Sequence, residues 1–419
     1  MPSYRTLARN RDFTALWIGQ AVSDLGSHVS MFVFPLFAFA LTGSAFSAAL
    51  AEALYLLGLA GTLLPAGVLA DRLHRLRVMR TSSAAGVVLY SSLVVAGILD
   101  VLTLPHLLVV SVLTGAAAGL FSPAETSAVR SVVSEQELPT ALSQNQARQH
   151  VASLVGGPLG GALYGITRWL PFAVDAVTFA VSWFTLGRIR TDLSAPARSG
   201  PRRRMRADLA EGLRFIRSRP FFRVMLCWSS LTNLTINALF FAVILRLVQH
   251  GVPAWQIGLV SSVAGACGLI GAIGAPWLIE RFATGRLTVV IAWSFVPLLV
   301  PMVLWDSPAV VAAALGLGML LNPAGNAGIQ SYRIAITPRE LIGRVQSTGQ
   351  FISMGMMPLA PVLGGALLAT LGGSAAIAVL GALTACVALI PTLSSSVRDV
   401  PRPAVWRTST EHQAPVQVA

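Results

Sequence analysis

The feature that most constrains this chain is the alternation of long apolar runs with short segments that carry arginine. A helix needs about 20 mostly apolar residues to cross the hydrocarbon core of a bilayer, within a range of about 17 to 25. Twelve runs approach or exceed that length: 13–41, 46–70, 78–99, 104–124, 141–166, 171–187, 221–248, 255–279, 287–305, 308–332, 343–370 and 374–393. We therefore predict an all-α membrane protein with twelve transmembrane helices, whose partner is the lipid bilayer.

The composition excludes most soluble functions. Charged residues make up only 11% of the chain, whereas about 25% is normal for a soluble domain. The net charge of +13 would suit a nucleic-acid-binding protein, but the arginines lie in short loops between apolar runs, so we predict no nucleic-acid partner. The sequence has no lysine-containing phosphate-binding loop, no metal-ligand spacing and no nucleophile elbow. We predict no cofactor, no metal site and no enzymatic activity.

The arginines also predict the orientation of the chain. All 30 basic residues are arginine, and a cytoplasmic N-terminus leaves only Arg168 and Arg246 on the outer side, so 28 of the 30 lie inside. Cytoplasmic loops of membrane proteins are enriched in this way. We therefore predict that both termini are cytoplasmic, in a multi-pass protein of a bacterial inner membrane.

The segment 189–220 divides the twelve runs into two sets of six. We predict an N-terminal six-helix bundle over 1–188, a cytoplasmic linker over 189–220, a C-terminal six-helix bundle over 221–393 and a disordered cytoplasmic tail over 394–419. Within the linker, Leu209, Leu213 and Ile216 recur at helical spacing opposite arginines. This pattern predicts an amphipathic helix that lies on the inner headgroups.

Internal echoes indicate that the two sets of six are related. The pairs are Ser122-Pro123-Ala124 with Asn322-Pro323-Ala324, Glu137-Leu138 with Glu340-Leu341, Gly160-Gly161-Ala162-Leu163 with Gly364-Gly365-Ala366-Leu367, and Asp71-Arg72 with Glu280-Arg281. Each pair holds the same place in its half, and the four occur in order. Two similar bundles are able to rock about a site between them, which is the basis of alternating access.

Ionisable residues inside the spans are the main site candidates, because placing one there costs about 2.5–3.5 kcal/mol on insertion scales. Asp24 lies about 16 Å into the first run at 1.5 Å per residue, and His28 follows one turn later on the same face. Asn233 and Asn237 hold the corresponding positions of the second half. We predict that Asp24 and His28 couple to protons and that the asparagines line a central aqueous cavity. A structural polar cluster between helices is the alternative.

Further ionisable residues complete the candidates. Glu52 lies about 9 Å into the second run from its outer end and is a second proton-coupling candidate, with a hydrated position at a cavity mouth as the alternative. Arg148 is a cavity candidate that pairs with a carboxylate or an anionic substrate, unless its guanidinium snorkels to the cytoplasmic surface. Glu125 is a weaker coupling candidate. Asp175 and Arg246 are predicted to be interfacial.

Several motifs together resemble those of the major facilitator superfamily. The run from Gly67 to Arg75 (GVLADRLHR) looks like the signature loop of that superfamily. Further matches resemble the drug and siderophore exporters that include the macrolide efflux pumps and the enterobactin exporter: Phe13 to Gly26, Leu41 to Ser44, Asp208 to Pro220 and Gly343 to Val345. The resemblance spans about residues 5–395 and implies two pseudo-symmetric six-helix bundles.

The resemblance implies a role for the signature loop. Gly67, Asp71, Arg72 and Arg75 would form a cytoplasmic gate latch, in which the carboxylate holds guanidinium groups. A solvated turn is the alternative. The loop departs from the superfamily pattern at His74, where a glycine is usual.

A second motif resembles the antiporter motif of the superfamily. Gly157, Pro158 and Gly161 combine a proline bend with room for close helix packing, which would seal or open the cavity; ordinary packing is the alternative. Many proton antiporters carry an arginine in span four, one turn before a glycine. Ser111 stands at that position before Gly115, so any coupling runs through other groups.

Together these features predict a proton-coupled exporter of amphipathic small molecules, such as a drug, an antibiotic or a siderophore. Aromatic residues, among them Trp17, Phe34 and Phe241, would line its path. Its partners would be a small-molecule substrate and protons, and it would be a monomer, the usual superfamily form. The alternatives are an importer or facilitator of a small metabolite with the same fold, and a membrane signalling or assembly protein that transports nothing.

Overall fold

The computed structural model describes Leu7 and residues 9–70, 74–134, 137–193, 205–338 and 341–405. These residues form helices joined by short turns, and none of them lies in a β-strand. Helices satisfy their backbone hydrogen bonds internally, which is a requirement in a bilayer without water.

Six long helices are described between Arg11 and Leu186. They are α1 (Arg11–Thr42), α2 (Ala45–Ala70), α3 (Arg75–Ile98), α4 (Leu104–Val132), α5 (Leu138–Ile166) and α6 (Leu170–Leu186). Local signals set the limits of α1: the Asn10 side chain accepts hydrogen bonds from the amides of Asp12 and Phe13, and Gly43 ends the helix with a φ of 66°. Asparagine is a preferred N-cap and glycine adopts positive φ without steric cost.

Eleven further helices are formed by the described residues of the linker and the second half. They are α7 (Met205–Ser218), α8 (Pro220–Gln249), α9 (Ala254–Arg281), α10 (Thr284–Ser294), α11 (Leu299–Leu304), α12 (Pro308–Leu320), α13 (Asn322–Ala335), α14 (Ile342–Gly355), α15 (Leu359–Leu371), α16 (Gly373–Leu393) and α17 (Ser395–Arg398).

Three predicted spans of the second half are each broken into two helices, α10 with α11, α12 with α13, and α14 with α15. A proline stands in or just after each break: Pro297, Pro323 and Pro358. Proline lacks an amide donor and disfavours the helical conformation of the residue before it. Pro123, the counterpart of Pro323, nevertheless lies inside the continuous helix α4, so proline alone does not dictate a break.

With each broken pair counted once, all twelve predicted spans correspond to described helices. Ten helical segments of the described chain are long and apolar enough to cross a membrane. Of the other two, α6 has 17 residues, and α5 contains a polar stretch from Ser143 to His150. The chain is therefore an all-α membrane protein of twelve transmembrane helices in two related sets of six, and the predicted fold class is confirmed.

Residue contacts divide the chain into two compact units. The first comprises Met1–Ser199, Ile244–Ser262 and Pro361–Ala369, and the second comprises Gly200–Val243, Val263–Ala360 and Thr370–Ala419. The first unit thus includes short segments of the second half of the chain. The bundle boundaries at 188 and 221 remain predictions.

The amphipathic helix predicted for the linker is α7, but part of its apolar face packs on protein. Ile216 is only 2% exposed and lies in one apolar cluster with Phe222 and Val345. An ion pair of 2.5 Å joins Glu211 to Arg344 at the start of α14. Part of the helix therefore packs on protein, and its contact with the inner headgroups remains a prediction. Residues 194–204 of the linker lie outside the described residues.

The predicted disordered tail begins with ordered residues. Val397 is 1% exposed and Val400 is 5% exposed, and the amide of Gly285 donates a hydrogen bond of 3.1 Å to the carbonyl oxygen of Val400. The prediction of disorder is therefore wrong for 394–405, because both valines are buried in an apolar cluster with Phe221, Phe222 and Val387. Residues 406–419 lie outside the described residues.

Candidate functional site

Two carboxylates share one guanidinium inside the first unit. The Nε atom of Arg148 in α5 lies 2.9 Å from Oδ2 of Asp24 in α1, and its Nη2 atom donates a hydrogen bond of 2.7 Å to Oε1 of Glu125 in α4. The contact with Asp24 is an ion pair without hydrogen-bond geometry. The contact with Glu125 is both an ion pair and a hydrogen bond. The hydrogen-bonded contact is the stronger kind of charge pair.

The three side chains differ in burial. The side chain of Arg148 is 2% exposed and that of Glu125 is 11% exposed, whereas that of Asp24 is 22% exposed. Within the described residues, the Nη1 atom of Arg148 is buried without a hydrogen-bond partner. The carboxylate of Asp24 is therefore the most exposed of the three groups, and the guanidinium is buried with one donor unpartnered.

A cavity of about 590 Å³ opens beside this cluster, between α1 and α5. Arg148 and Gln144 contribute polar groups, and the wall is otherwise mostly apolar, with Phe13, Trp17 and Leu25 from α1. Volumes of about 300–1,000 Å³ with few polar groups are typical of small-molecule sites. The sequence placed Trp17 on an aromatic path, and the structure places it in this cavity.

His28 does not contact the carboxylate of Asp24. Its Nδ1 atom lies 2.8 Å from the backbone oxygen of Asp24, so the ring folds back onto its own helix. In the second unit, Asn237 Nδ2 donates a hydrogen bond of 2.7 Å to the backbone oxygen of Asn233. In both pairs, the second side chain therefore contacts the backbone oxygen of the residue four positions earlier. Asn233 and Asn237 are both exposed.

Glu52 and Ser111 lie where α2 and α4 pack closely. The hydroxyl of Ser111 is fully buried and donates a hydrogen bond of 2.5 Å to the backbone oxygen of Ala51. A Cβ atom added to Gly115 would stand 2.8 Å from the carbonyl carbon of Tyr55. An arginine at position 111 has no room here. Among the described residues, Glu52 makes no ion pair or hydrogen bond and is partly exposed.

The gate latch is only partly within the described residues. Asp71 and Arg72 lie outside them, and Gly67 is described only as part of the helix α2. Arg75 is 7% exposed, and its Nη1 atom donates a hydrogen bond of 3.0 Å to the hydroxyl of Ser131 in α4. The latch remains a prediction.

The glycines of the antiporter-like motif mark a close approach of α5 to the start of α9, within the first unit. A Cβ atom added to Gly157 would lie 3.2 Å from the backbone oxygen of Gly258, and one added to Gly161 would lie 2.5 Å from the carbonyl carbon of Ala254. Pro158 lies between them inside the continuous helix α5. The glycines therefore allow backbone-to-backbone packing.

Two aromatic candidates lie in protein interiors. Phe34 is 1% exposed and Phe241 is 7% exposed. The ring of Phe34 packs against Phe172 at a centroid distance of 5.4 Å and against Tyr90 at 6.1 Å. Phe34 thus belongs to an aromatic core of the first unit and does not line the cavity beside Arg148.

The interfacial assignment of Asp175 and Arg246 is wrong. Asp175 is 0% exposed and Arg246 is 5% exposed. The hydroxyl of Thr178 donates a hydrogen bond of 2.9 Å to Oδ1 of Asp175, which faces Gly26 of α1. Position near a helix end was a poor guide, because the side chain points into the bundle.

The sequence predicted only part of the cluster formed by Asp24, Glu125 and Arg148. Asp24 was the first candidate and Arg148 was a candidate cationic partner, but Glu125 was ranked as a weak one. The sequence signal for Glu125 was its position at the end of the fourth run, since the next run along the chain contains a single arginine, Arg148. Helix rotation, which the sequence leaves open, brings them together.

Comparison with known proteins identifies the family. Residues 16–357 match the Major Facilitator Superfamily, and no curated protein matches the chain. The crystal structure of the nucleoside transporter NupG has a TM-score of 0.73 at 10% identity, covering 92% of this chain and 98% of that one.

Two inward-facing bacterial structures share the fold. A bacterial homologue of the iron transporter ferroportin has a TM-score of 0.70 at 17% identity, covering 92% of this chain and 98% of that one. A bacterial homologue of the human lysosomal transporter Spinster has a TM-score of 0.66 at 14% identity, covering 96% and 97%. Sequence identities this low show only that the fold is shared. The family itself is shown by the match over residues 16–357, which is most of the chain. This chain belongs to the Major Facilitator Superfamily and is a membrane transporter of small molecules rather than an enzyme.

Proposed function

We propose that this transporter is a proton-coupled exporter of amphipathic small molecules that works by alternating access. The observation that carries the proposal is the pairing of Asp24 and Glu125 with the single guanidinium of Arg148 beside a mostly apolar cavity. The motif resemblance to drug and siderophore exporters supports the same substrate class.

The charge of the cluster supports exchange of protons for substrate. With both carboxyl groups ionised the cluster carries one excess negative charge, and one bound proton makes it neutral. An uncompensated charge away from water is costly, so the cluster favours either a proton or a cation from the substrate. Asp24 is the exchanging group, because it is more exposed than Glu125 and is not hydrogen-bonded to Arg148.

The cavity supports a specific kind of cargo. Its apolar wall, with Phe13 and Trp17, suits a bulky apolar or aromatic body. Asp24, whose side chain is 22% exposed, suits a basic amine. We therefore favour amphipathic substrates that carry a basic amine on an apolar or aromatic body.

Direction follows from the proposed exchange. A proton enters from the outer side, binds Asp24 and leaves to the cytoplasm as the cationic substrate takes its place. One proton then moves inward for each monovalent cation that moves outward, so the cycle transfers no net charge. A pH gradient, and not the membrane potential, would drive it.

The other candidate residues keep proposed roles. Glu52 and His28 remain proton-coupling candidates, the segment from Gly67 to Arg75 is the proposed gate latch, and the close approach at Gly157 and Gly161 is the proposed seal of the cavity. We also propose a monomer in a bacterial inner membrane with cytoplasmic termini.

Transport by proteoliposomes tests the proposal. The probe is ethidium, a permanent aromatic cation, and its movement is followed by fluorescence under a pH gradient, a potassium-valinomycin potential, or both. We expect the pH gradient to drive accumulation and the potential to have no effect. Transport that is indifferent to the pH gradient would support the facilitator alternative, and absence of transport of ethidium and of a neutral aromatic probe would refute the proposed substrate class.

Matched variants locate the coupling group. Asp24→Asn should abolish dependence on the pH gradient, while Asp100→Asn, in an exposed turn with a φ of 55°, should leave it unchanged because asparagine tolerates that conformation. His28→Asn copies Asn237 and keeps a side-chain donor for the backbone of Asp24. Retained coupling in His28→Asn would assign His28 a structural role, and retained coupling in Asp24→Asn would refute the proposed exchange.

A further inference from the structure

A second cavity, of about 470 Å³, lies in the second unit between α7, α8 and α14. Its apolar wall includes Ile216 of α7, Leu226 and Leu231 of α8, and Ile352 of α14. Arg217 and Arg223 also line it, and both are exposed. The cavity therefore combines an apolar wall with two guanidinium groups.

The linker helix α7 is held in place as one wall of this cavity. Glu211 pairs with Arg344, and a Cβ atom added to Gly212 would stand 2.6 Å from the backbone oxygen of Arg344. The wall is thus anchored to α14 on the same turn of α7 by an ion pair and a close backbone contact.

The internal repeat relates this cavity to the one beside Arg148. An offset of 209 converts four residues of the first cavity, Thr14, Trp17, Ile18 and Ala21, into Arg223, Leu226, Cys227 and Ser230, and all four line the second. The charge differs between them. The first cavity borders a cluster with excess negative charge, whereas neither Arg217 nor Arg223 forms an ion pair with a described residue.

We propose that the second cavity binds an anionic phospholipid. Arg223 is three residues after the start of α8, close to the membrane surface, where guanidinium groups bind phosphate strongly. Leu231 lies about 16 Å along the helix from Pro220 at 1.5 Å per residue, so the apolar wall reaches well into the hydrocarbon layer. Basic pockets beside transmembrane helices are suited to lipid headgroups. The phosphate contacts Arg217 and Arg223, and an acyl chain lies along the leucines and Ile352.

Cys227 provides a native probe, because it lines the cavity and is exposed. With Cys267 and Cys386 replaced by alanine, the rate of Cys227 labelling by a maleimide is measured in an uncharged detergent. The additives are dioleoyl phosphatidylglycerol, dioleoyl phosphatidylcholine or inorganic phosphate. At a phosphatidylglycerol concentration about ten times its dissociation constant, mass action slows the labelling about tenfold. We expect phosphatidylcholine and inorganic phosphate to have little effect.

Variants assign the protection to the arginines. Arg217→Gln with Arg223→Gln should abolish the protection, and the corresponding double lysine variant should keep most of it and so show that the cavity is folded. Arg214→Gln, on the same helix but outside the cavity, should behave like the parent, and a protein that retains only Cys386 should label at one rate in all additives.

Three results would overturn the proposal. Equal protection by the two lipids would mean an apolar groove without anion recognition, and protection by inorganic phosphate alone would mean a site for a free anion. Undiminished protection in the double glutamine variant would remove the arginines from recognition. Protection by phosphatidylglycerol that depends on both arginines would establish the lipid site, whatever the transporter exports.

Discussion

Replacing Arg148 with glutamine should destabilise the protein by leaving two carboxylates without their cation. The side chains of Arg148 and Glu125 are 2% and 11% exposed, and removal of one partner of a buried ion pair costs about 3–5 kcal/mol. Proton uptake limits the loss. A glutamic acid with an ordinary pKa of about 4.3 costs about 3.7 kcal/mol to protonate at pH 7, so we expect Arg148→Gln to lower the free energy of unfolding by about 3–4 kcal/mol at pH 7.

The sign of the pH dependence follows from this mechanism. The folded variant holds a proton on Glu125 that the unfolded chain releases above pH 4.3, so its stability falls as the pH rises. At pH 5 the cost of that proton is only about 1 kcal/mol. Arg148→Gln should therefore approach the stability of the parent protein as the pH is lowered from 7 to 5.

Second-site changes divide the loss between the two carboxylates. Glu125→Gln in the Arg148→Gln background should restore most of the stability at pH 7, because a neutral amide needs no cation. Asp24→Asn should restore less, since Asp24 is 22% exposed and solvent screens its charge.

Denaturant titrations in mixed micelles, followed by the fluorescence of the 9 tryptophans, measure these differences. The control is Arg168→Gln, which makes the same change at an exposed position and should shift the stability by less than about 0.5 kcal/mol. An Arg148→Gln variant as stable as that control at pH 7, or equally destabilised at pH 5 and pH 7, would refute the reasoning.

Three further predictions concern packing. Gly161→Ala should destabilise the protein by about 1–3 kcal/mol, because the added Cβ atom meets the backbone of Ala254. Gly165→Ala, with open space around the glycine, should be neutral, and equal denaturation midpoints for the two variants would contradict the close approach. Ser111→Arg should prevent recovery of monodisperse protein, because Ser111 is fully buried, while Thr126→Arg on the exposed face of α4 should be tolerated. A normal yield of Ser111→Arg in size-exclusion chromatography would show that α2 and α4 can separate. Truncation after residue 393 should lower the free energy of unfolding by about 1.5–3 kcal/mol for each of Val397 and Val400, and truncation after residue 405 should lower it little. Equal stability of the two truncated proteins would show that residues 394–405 do not stabilise the fold.

The candidate site illustrates what could be predicted from sequence. Asp24 stood out because a charge in the middle of an apolar run is costly, and Arg148 stood out as the lone arginine of its run. The role of Glu125 was underrated, and Asp175 was misplaced at an interface, because both judgements used distance from a helix end. Burial depends on which way the side chain faces, and Asp175 faces Gly26.

The sequence by itself determined the number of spans, the relation between the halves and the amphipathic character of α7, because hydrophobic length and period act within one segment. The same local reasoning paired His28 with Asp24 and Asn237 with Asn233, one turn apart on single helices. Only the tertiary structure decided that Arg148 of α5 joins Asp24 of α1 to Glu125 of α4, and that α7 docks on α14. Periodicity assigns residues to a face of a helix, but the rotation of that helix against its neighbours is set by packing summed over many contacts.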